Sequence, residues 1–319
     1  MRFKIRLFRF LKRFWQSLKL SFSSFMEDRV LKLSAALAYY TIFSIAPMLI
    51  IIIYLCDIFL GKEAIEGSIF SQIRSLVGDS AAMQIQEIIK NSSVSGDFNW
   101  AGIIGLVALI IGATGVFVEI QDSINFIWRL KAKPSKGKGL LKMLINRAQS
   151  FSLIVSLGFI LLVSLALNGI MEVLNEQLLS FFPEAAVTFT YLANQGITLL
   201  IITLLFGIIF KVLPDAKIRW KDVAVGSITT ALLFMLGKFA IGYYLGSSKI
   251  GSTYGAAGSI VLILSWVYFS AAILYFGAVF TRIYVEICGK HIKPNDYAVY
   301  VKRIEEEKTH PGDPEPIDS

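Results

Sequence analysis

Six stretches of the chain are apolar over about 20 residues or more, roughly the length that crosses a ~30 Å bilayer core. They are approximately Leu33–Leu60, Trp100–Val118, Ser150–Ile170, Thr188–Phe210, Val223–Leu245 and Gly258–Thr281. Each is apolar nearly all round, as bundle helices in a membrane are, and far longer than the ~10-residue alternating strands of an outer-membrane barrel. The pattern predicts an all-α fold, a polytopic membrane bundle of six transmembrane helices spanning residues 33–286. Residues 1–32 follow a different pattern. Phe3, Leu7, Phe10, Leu11, Phe14 and Leu18 recur at helical spacing, while Arg2, Arg6, Arg9, Lys12, Arg13 and Lys19 cover the other face. This predicts a basic amphipathic arm lying on an anionic inner leaflet rather than a cleavable signal. Residues 287–319 turn acidic and Pro-rich, with Glu305, Glu306 and Glu307, and predict a flexible tail.

Composition agrees with the pattern. Hydrophobic residues make up 55% of the 319 and charged residues only 17%, against about 25% charged in soluble domains. The net charge of +8 is unevenly placed: 26 of the 31 Lys and Arg fall on one side of the predicted spans and 5 on the other. The positive-inside rule then puts both termini in the cytoplasm. It also makes nucleic acid an unexpected partner; membrane lipids are the expected one, and a homo-oligomer is compatible with the sequence. Cys56 and Cys288 fall on opposite sides and so cannot pair within one chain. The longest outer segment, residues 61–99, carries apolar stripes (Ile65, Ile69, Ile73; Met83, Ile85, Ile88, Ile89) suited to a lid on the bundle.

No catalytic constellation is present. The only histidines, His291 and His310, lie in the tail, and no HExxH, CxxC, GxSxG or Walker A motif occurs. Neither an enzyme nor a cofactor is expected. The basic loop Lys133–Gly139 reads as a positive-inside loop rather than a phosphate cradle. The candidates are instead polar groups at membrane depth, which are costly there. Tyr39, Tyr40, Thr41 and Ser44 precede Pro47, which predicts a kink in the first span. Glu119, Asp122, Asn125 and Arg129 lie at the inner end of the second span, and the last three share one helical face if the helix continues. Such a set suits an inner gate or an ion site. Lys238 lies 16 positions into the fifth span. It either snorkels outward or attracts an anion into a polar vestibule near Asn168, Asn194, Gln195, Tyr243, Tyr244 and Tyr254. No metal site is expected.

Several blocks together make the chain similar to the YihY/BrkB family of bacterial inner-membrane proteins. They are Ala36–Pro47 (ALAYYTIFSIAP), Gly112–Trp128 (GATGVFVEIQDSINFIW), Leu213–Trp220 (LPDAKIRW) with Gly226, Tyr254–Ser259 (YGAAGS) and Trp266–Phe280 (WVYFSAAILYFGAVF). The resemblance implies a six-span helical protein of the bacterial inner membrane, with Pro214, Trp220 and Gly226 in structural roles. A ribonuclease BN label attached to family members does not fit, since two tail histidines cannot supply a nuclease metal cluster. The expected function is a secondary transporter or flippase for an anionic substrate, an organic anion or a lipid. The alternative is a non-transporting scaffold serving envelope integrity.

Overall fold

The computed structural model describes residues 2–44, 83, 100–132, 183–247, 258–289 and 291–302. The helices are α1 (Arg2–Glu27), α2 (Val30–Ser44), α3 (Trp100–Ile127), α4 (Pro183–Val212), α5 (Trp220–Ser247) and α6 (Gly258–Ile287). Three stretches, Leu192–Val212, Trp220–Leu245 and Ile260–Ile287, are long and apolar enough to cross a membrane. At 1.5 Å per residue the 30 residues of α6 reach about 45 Å, more than a ~30 Å core requires. The protein is thus mostly helical. The expected Pro47 kink, the outer loop 61–99, the third span and the Gly-rich turn carrying Tyr254 lie outside the described residues.

Helix α6 is the hub. It packs against α5, α1 and α3, while α4 packs against α5. From Leu274 to Val285 every residue of α6 is buried, the sequence there being apolar or small apart from Arg282, whose charge is paired. Lipid tails are as apolar as Leu, so the hydrophobic effect does little to hold helices together inside a bilayer; close contact and hydrogen bonds must do it. The α5–α6 crossing meets that demand with a reciprocal pair. Gly226 lies four residues before Thr230, and Gly277 four before Thr281. Each threonine hydroxyl donates to its own helix's glycine carbonyl, at 2.7 Å in both cases. Each then fills the space over the other helix's glycine, so that a Cβ on Gly226 would overlap the Thr281 hydroxyl and one on Gly277 the Thr230 hydroxyl.

At one end of the bundle the fold departs from all-α. Strand β1 (Leu130–Ala132) pairs antiparallel with β4 (Ala298–Tyr300), and β2 (Ala216–Lys217) with β3 (Lys293–Pro294). Residues 291–302, expected to be a flexible tail, are therefore an ordered strap across the loops that follow α3 and α4. Ile292 and Ala298 are buried beneath it. Alternation over two or three residues is too short to be read as a strand, and the partners lie far away in sequence.

The amphipathic arm also differs from expectation. Rather than resting on a bilayer alone, α1 lays one side along α6. Phe10 meets Tyr284, Phe14 meets Phe280, and Phe22 and Phe25 meet Phe276. Ser17 and Ser21 are buried in the same seam and donate to the carbonyls of Arg13 and Ser17.

The reciprocal crossing gives a direct test. Gly226→Ala and Gly277→Ala should each destabilise the detergent-solubilised protein by about 1–3 kcal/mol, as overpacked contacts do. Adding Thr281→Ala to the first, or Thr230→Ala to the second, should recover much of the loss in thermal unfolding.

Candidate functional site

Helix α3 ends where its chain turns back. Arg129 adopts φ +59°, the left-handed region, and its N–H bonds the Phe126 carbonyl. Arg129 therefore lies beyond the last helical turn, which removes it from the face it was expected to share with Asp122 and Asn125. Its carbonyl instead accepts from Val301 N–H at 2.8 Å, anchoring the strap. The other three acidic and amide groups are also divided. Asp122 is exposed, and Glu119 is half-buried, accepting from the Ser123 hydroxyl at 3.3 Å.

Asn125 is buried and turned toward a residue that sequence reading did not single out, Asp215. The Asp215 carboxylate accepts from Gln121 Nε2 and Asn125 Nδ2, both at 3.1 Å. Asn125 Oδ1 in return accepts the Asp215 backbone N–H at 2.8 Å. The Asp215 carbonyl takes the Asn295 N–H of the strap at 2.9 Å. Three distant segments are thus joined at one residue, α3 through the Asp215 side chain and backbone N–H and the strap through its backbone carbonyl. The sequence signal was the Pro214–Asp215 pair: Pro214 cannot continue α4, so the next residue opens a loop with its own backbone groups to satisfy. Pro214 is buried at this point. Trp220, at the start of α5, is 59% exposed, and the Lys211 ammonium lies 5.8 Å from its ring centroid while donating to the Ile218 carbonyl.

A second buried node lies beside the first. Arg282, counted by charge arithmetic as part of the solvated inner side, is 4% exposed. Its Nη2 donates to Asp28 Oδ2 at 3.0 Å, and its Nη1 to the Ile127 carbonyl at 2.6 Å. That carbonyl is among the last of α3, where helical partners run out and the dipole favours a cation. Trp128 Nε1 donates to the Ala278 carbonyl at 3.0 Å, closing the same junction. Asp28 follows α1 directly, in the turn made by left-handed Arg29. One guanidinium thereby joins the arm, the end of α3 and α6.

Lys238 lies elsewhere, well along α5. It shares a helical stripe with Ser227, Ala231, Phe234, Ile241 and Leu245, all buried or half-buried, and is itself half-buried. The outward stripe of the same helix is Leu232, Leu236, Phe239 and Tyr243. Lys238 thus belongs to the inward face. Among the polar residues expected near it, Tyr243 and Tyr244 are exposed, the latter against Phe269, and Asn194 is exposed on α4. Tyr39 and Tyr40 are also exposed, stacked edgewise on each other, with Tyr39 against Phe43. Thr41 donates to the Leu37 carbonyl, a hydroxyl satisfied within its own helix. Pro47, Asn168 and Tyr254 lie outside the described residues. Among the described residues no cluster of His, Cys, Asp and Glu could hold a metal ion.

The family model described as Virulence factor BrkB matches residues 21–296. The chain belongs to the BrkB family. The match runs from the middle of α1 through β3, and so takes in both buried nodes and Lys238. A UPF0761 membrane protein of Aeromonas salmonicida is 27% identical over 282 residues, covering 85% of this chain and 88% of its own length. A UPF0761 membrane protein of Mannheimia succiniciproducens is 25% identical over 271 residues, covering 81% and 86%. One from Stenotrophomonas maltophilia is 26% identical over 259 residues, 80% of this chain but 57% of that longer protein. No solved structure matches the chain. Together with the long apolar helices, these BrkB relatives make the protein a membrane protein.

Breaking the second node should be costly. Arg282→Met strands the Asp28 carboxylate in the core and should cost about 3–5 kcal/mol in thermal or denaturant unfolding. The double variant Asp28→Leu/Arg282→Met should recover most of that loss. A smaller effect, about 1–3 kcal/mol, is expected for Asp215→Ala, which leaves two buried amides without an acceptor.

Proposed function

We propose that the protein is a six-span bacterial inner-membrane protein, both termini cytoplasmic, that moves an anionic substrate across the bilayer as a secondary transporter or flippase. The observation that carries this reading is the place of Lys238, a cation on the inward stripe of an apolar helix. Charged side chains at membrane depth are rare and tend to face a bundle interior or an aqueous path. An inward Lys there favours an anion, an organic anion or a lipid headgroup, over a cation. It also argues against simple snorkelling, since the lipid-facing stripe of α5 is a different one. The strand-paired end supports the orientation. Irregular backbone and open sheet edges need water, and that end carries Lys131, Lys217, Arg219, Lys221 and Lys293.

The Asp215 and Arg282 nodes read as fixed joints of that end rather than as a gate. The Asp215 carboxylate has both of its oxygens bonded, and Arg282 is held through both Nη atoms, so neither joint parts cheaply. Alternation of access would then fall to the other end of the bundle, near Tyr39, Tyr40 and the Lys238 side of α5. Without a nucleotide-binding motif, movement follows an ion gradient or runs passively downhill. The protein is read as non-enzymatic.

A scaffold for envelope integrity is the second reading, and the same joints favour it, because a bundle tied by two buried polar nodes and a strap is suited to holding shape. Proteoliposome assays with labelled phosphatidylglycerol and with a small organic anion separate the two. On the transport reading the wild type moves one of them, Lys238→Ala slows it about tenfold, which is ~1.4 kcal/mol, and Lys238→Arg retains most of the rate. A wild type that moves neither substrate would leave the scaffold reading. Equal rates for wild type and Lys238→Ala would remove the lysine from the mechanism.

A further inference from the structure

Helix α1 has three faces, not the two that its sequence pattern suggests. The first is spent on α6, through Phe14, Ser17, Ser21 and Phe25. The second is a narrow stripe of large apolar side chains that the fold leaves exposed: Phe8 at 69%, Leu11 at 54%, Trp15 at 69% and Met26 at 67%, with Phe22, 66% exposed, in the same stripe and also touching Phe276. Their spacing confines them to about a sixth of the helix circumference. The third face, on the far side of that stripe from α6, carries exposed Lys12 and Lys19, two turns apart, and Arg9 beyond them. An apolar stripe edged by lysines, with Trp15 in its middle, is the chemistry of a helix lying in a membrane interface.

The order of residues along the helix supplies a separate argument. Along α1 the ring contacts run from Tyr284 through Phe280 to Phe276, and Asp28, just past the helix, returns to Arg282. Arg9, Lys12, Arg13 and Lys19 lie in the first two thirds of the helix, and residues 20–26 form an uncharged stretch before exposed Glu27. Residues 8–20 also precede the stretch matched by the family model.

We propose that α1 is an anionic-lipid-binding element. Its Phe8–Met26 stripe inserts among acyl chains, and Lys12 and Lys19 bind phospholipid phosphates. Because α1 is joined to α6 by its aromatic seam and by the Asp28–Arg282 pair, leaflet charge is read by the hub helix itself. The partner is an anionic phospholipid leaflet and not a nucleic acid, because the basic face alone would suffice for the latter, leaving the large apolar stripe unexplained.

Hydrogen exchange on the full-length protein in nanodiscs tests this. With phosphatidylglycerol replacing a third of a phosphatidylcholine bilayer, amides of residues 8–26 should become roughly tenfold more protected, as two phosphate-bound lysines imply. The core of α5 and α6 should serve as the unchanged reference. In Lys12→Gln/Lys19→Gln, whose substitutions are on the surface, the response should fall below about twofold. Equal protection of α1 in the two bilayers would overturn the proposal, as would a phosphatidylglycerol response that the double variant keeps. Protection raised by added RNA in the neutral bilayer, and not by the anionic lipid, would overturn it in favour of nucleic acid.

Discussion

Arg282 is the constraint around which the described structure is organised. It lies on a helix buried on every side over the surrounding turns, where an unpaired guanidinium would be intolerable. Its two Nη groups are met from outside α6, by the carboxylate that ends the arm and a terminal carbonyl of α3, while Nε is buried without a partner. Satisfying one charge therefore fixes where two other segments can lie. The Asp215 node repeats the logic with the sign reversed. A buried carboxylate draws amides from α3, and its backbone holds the strap. The net gain in stability from such nodes is small when compared with an apolar replacement; their effect is to leave one arrangement satisfied.

Within the apolar part of the bundle the physics is different. The α5–α6 crossing uses no charge and depends on the absence of side chains at Gly226 and Gly277, with each threonine hydroxyl satisfied inside its own helix. This division follows from the solvent. Where water can enter, polar pairing and short strands close the structure; where it cannot, only self-satisfied helices that approach closely will do. Lys238, on the inward face of α5, is an exception to the second regime. That is why it carries the functional proposal.

The gate expected from Glu119, Asp122, Asn125 and Arg129 shows how far helical spacing can be trusted. Asn125 lies in a polar junction at the end of α3, but its partner there is Asp215 rather than the residues on its own helix. The helix stops before Arg129, and a loop aspartate 90 residues away supplies the stronger acceptor. Gly226 lies in a helix crossing and Trp220 at a helix start.

Among the described residues, sequence by itself marked the long apolar helices α4, α5 and α6, because length and apolarity are properties of a local window and a bilayer imposes one solution on them. It also determined the amphipathic nature of the arm and the family, through separated blocks such as LPDAKIRW. Only the tertiary structure decided which charges are buried. Arg282 and Lys293 look alike in a count of basic residues, yet one is sealed in the core and the other lies exposed on a two-residue strand. The strap, the Asp28–Arg282 pair and the Asp215 node all join residues separated by at least 76 positions. No local pattern encodes such pairings, since each arises only when a polar group is about to be buried and takes the partner that the packing brings within reach.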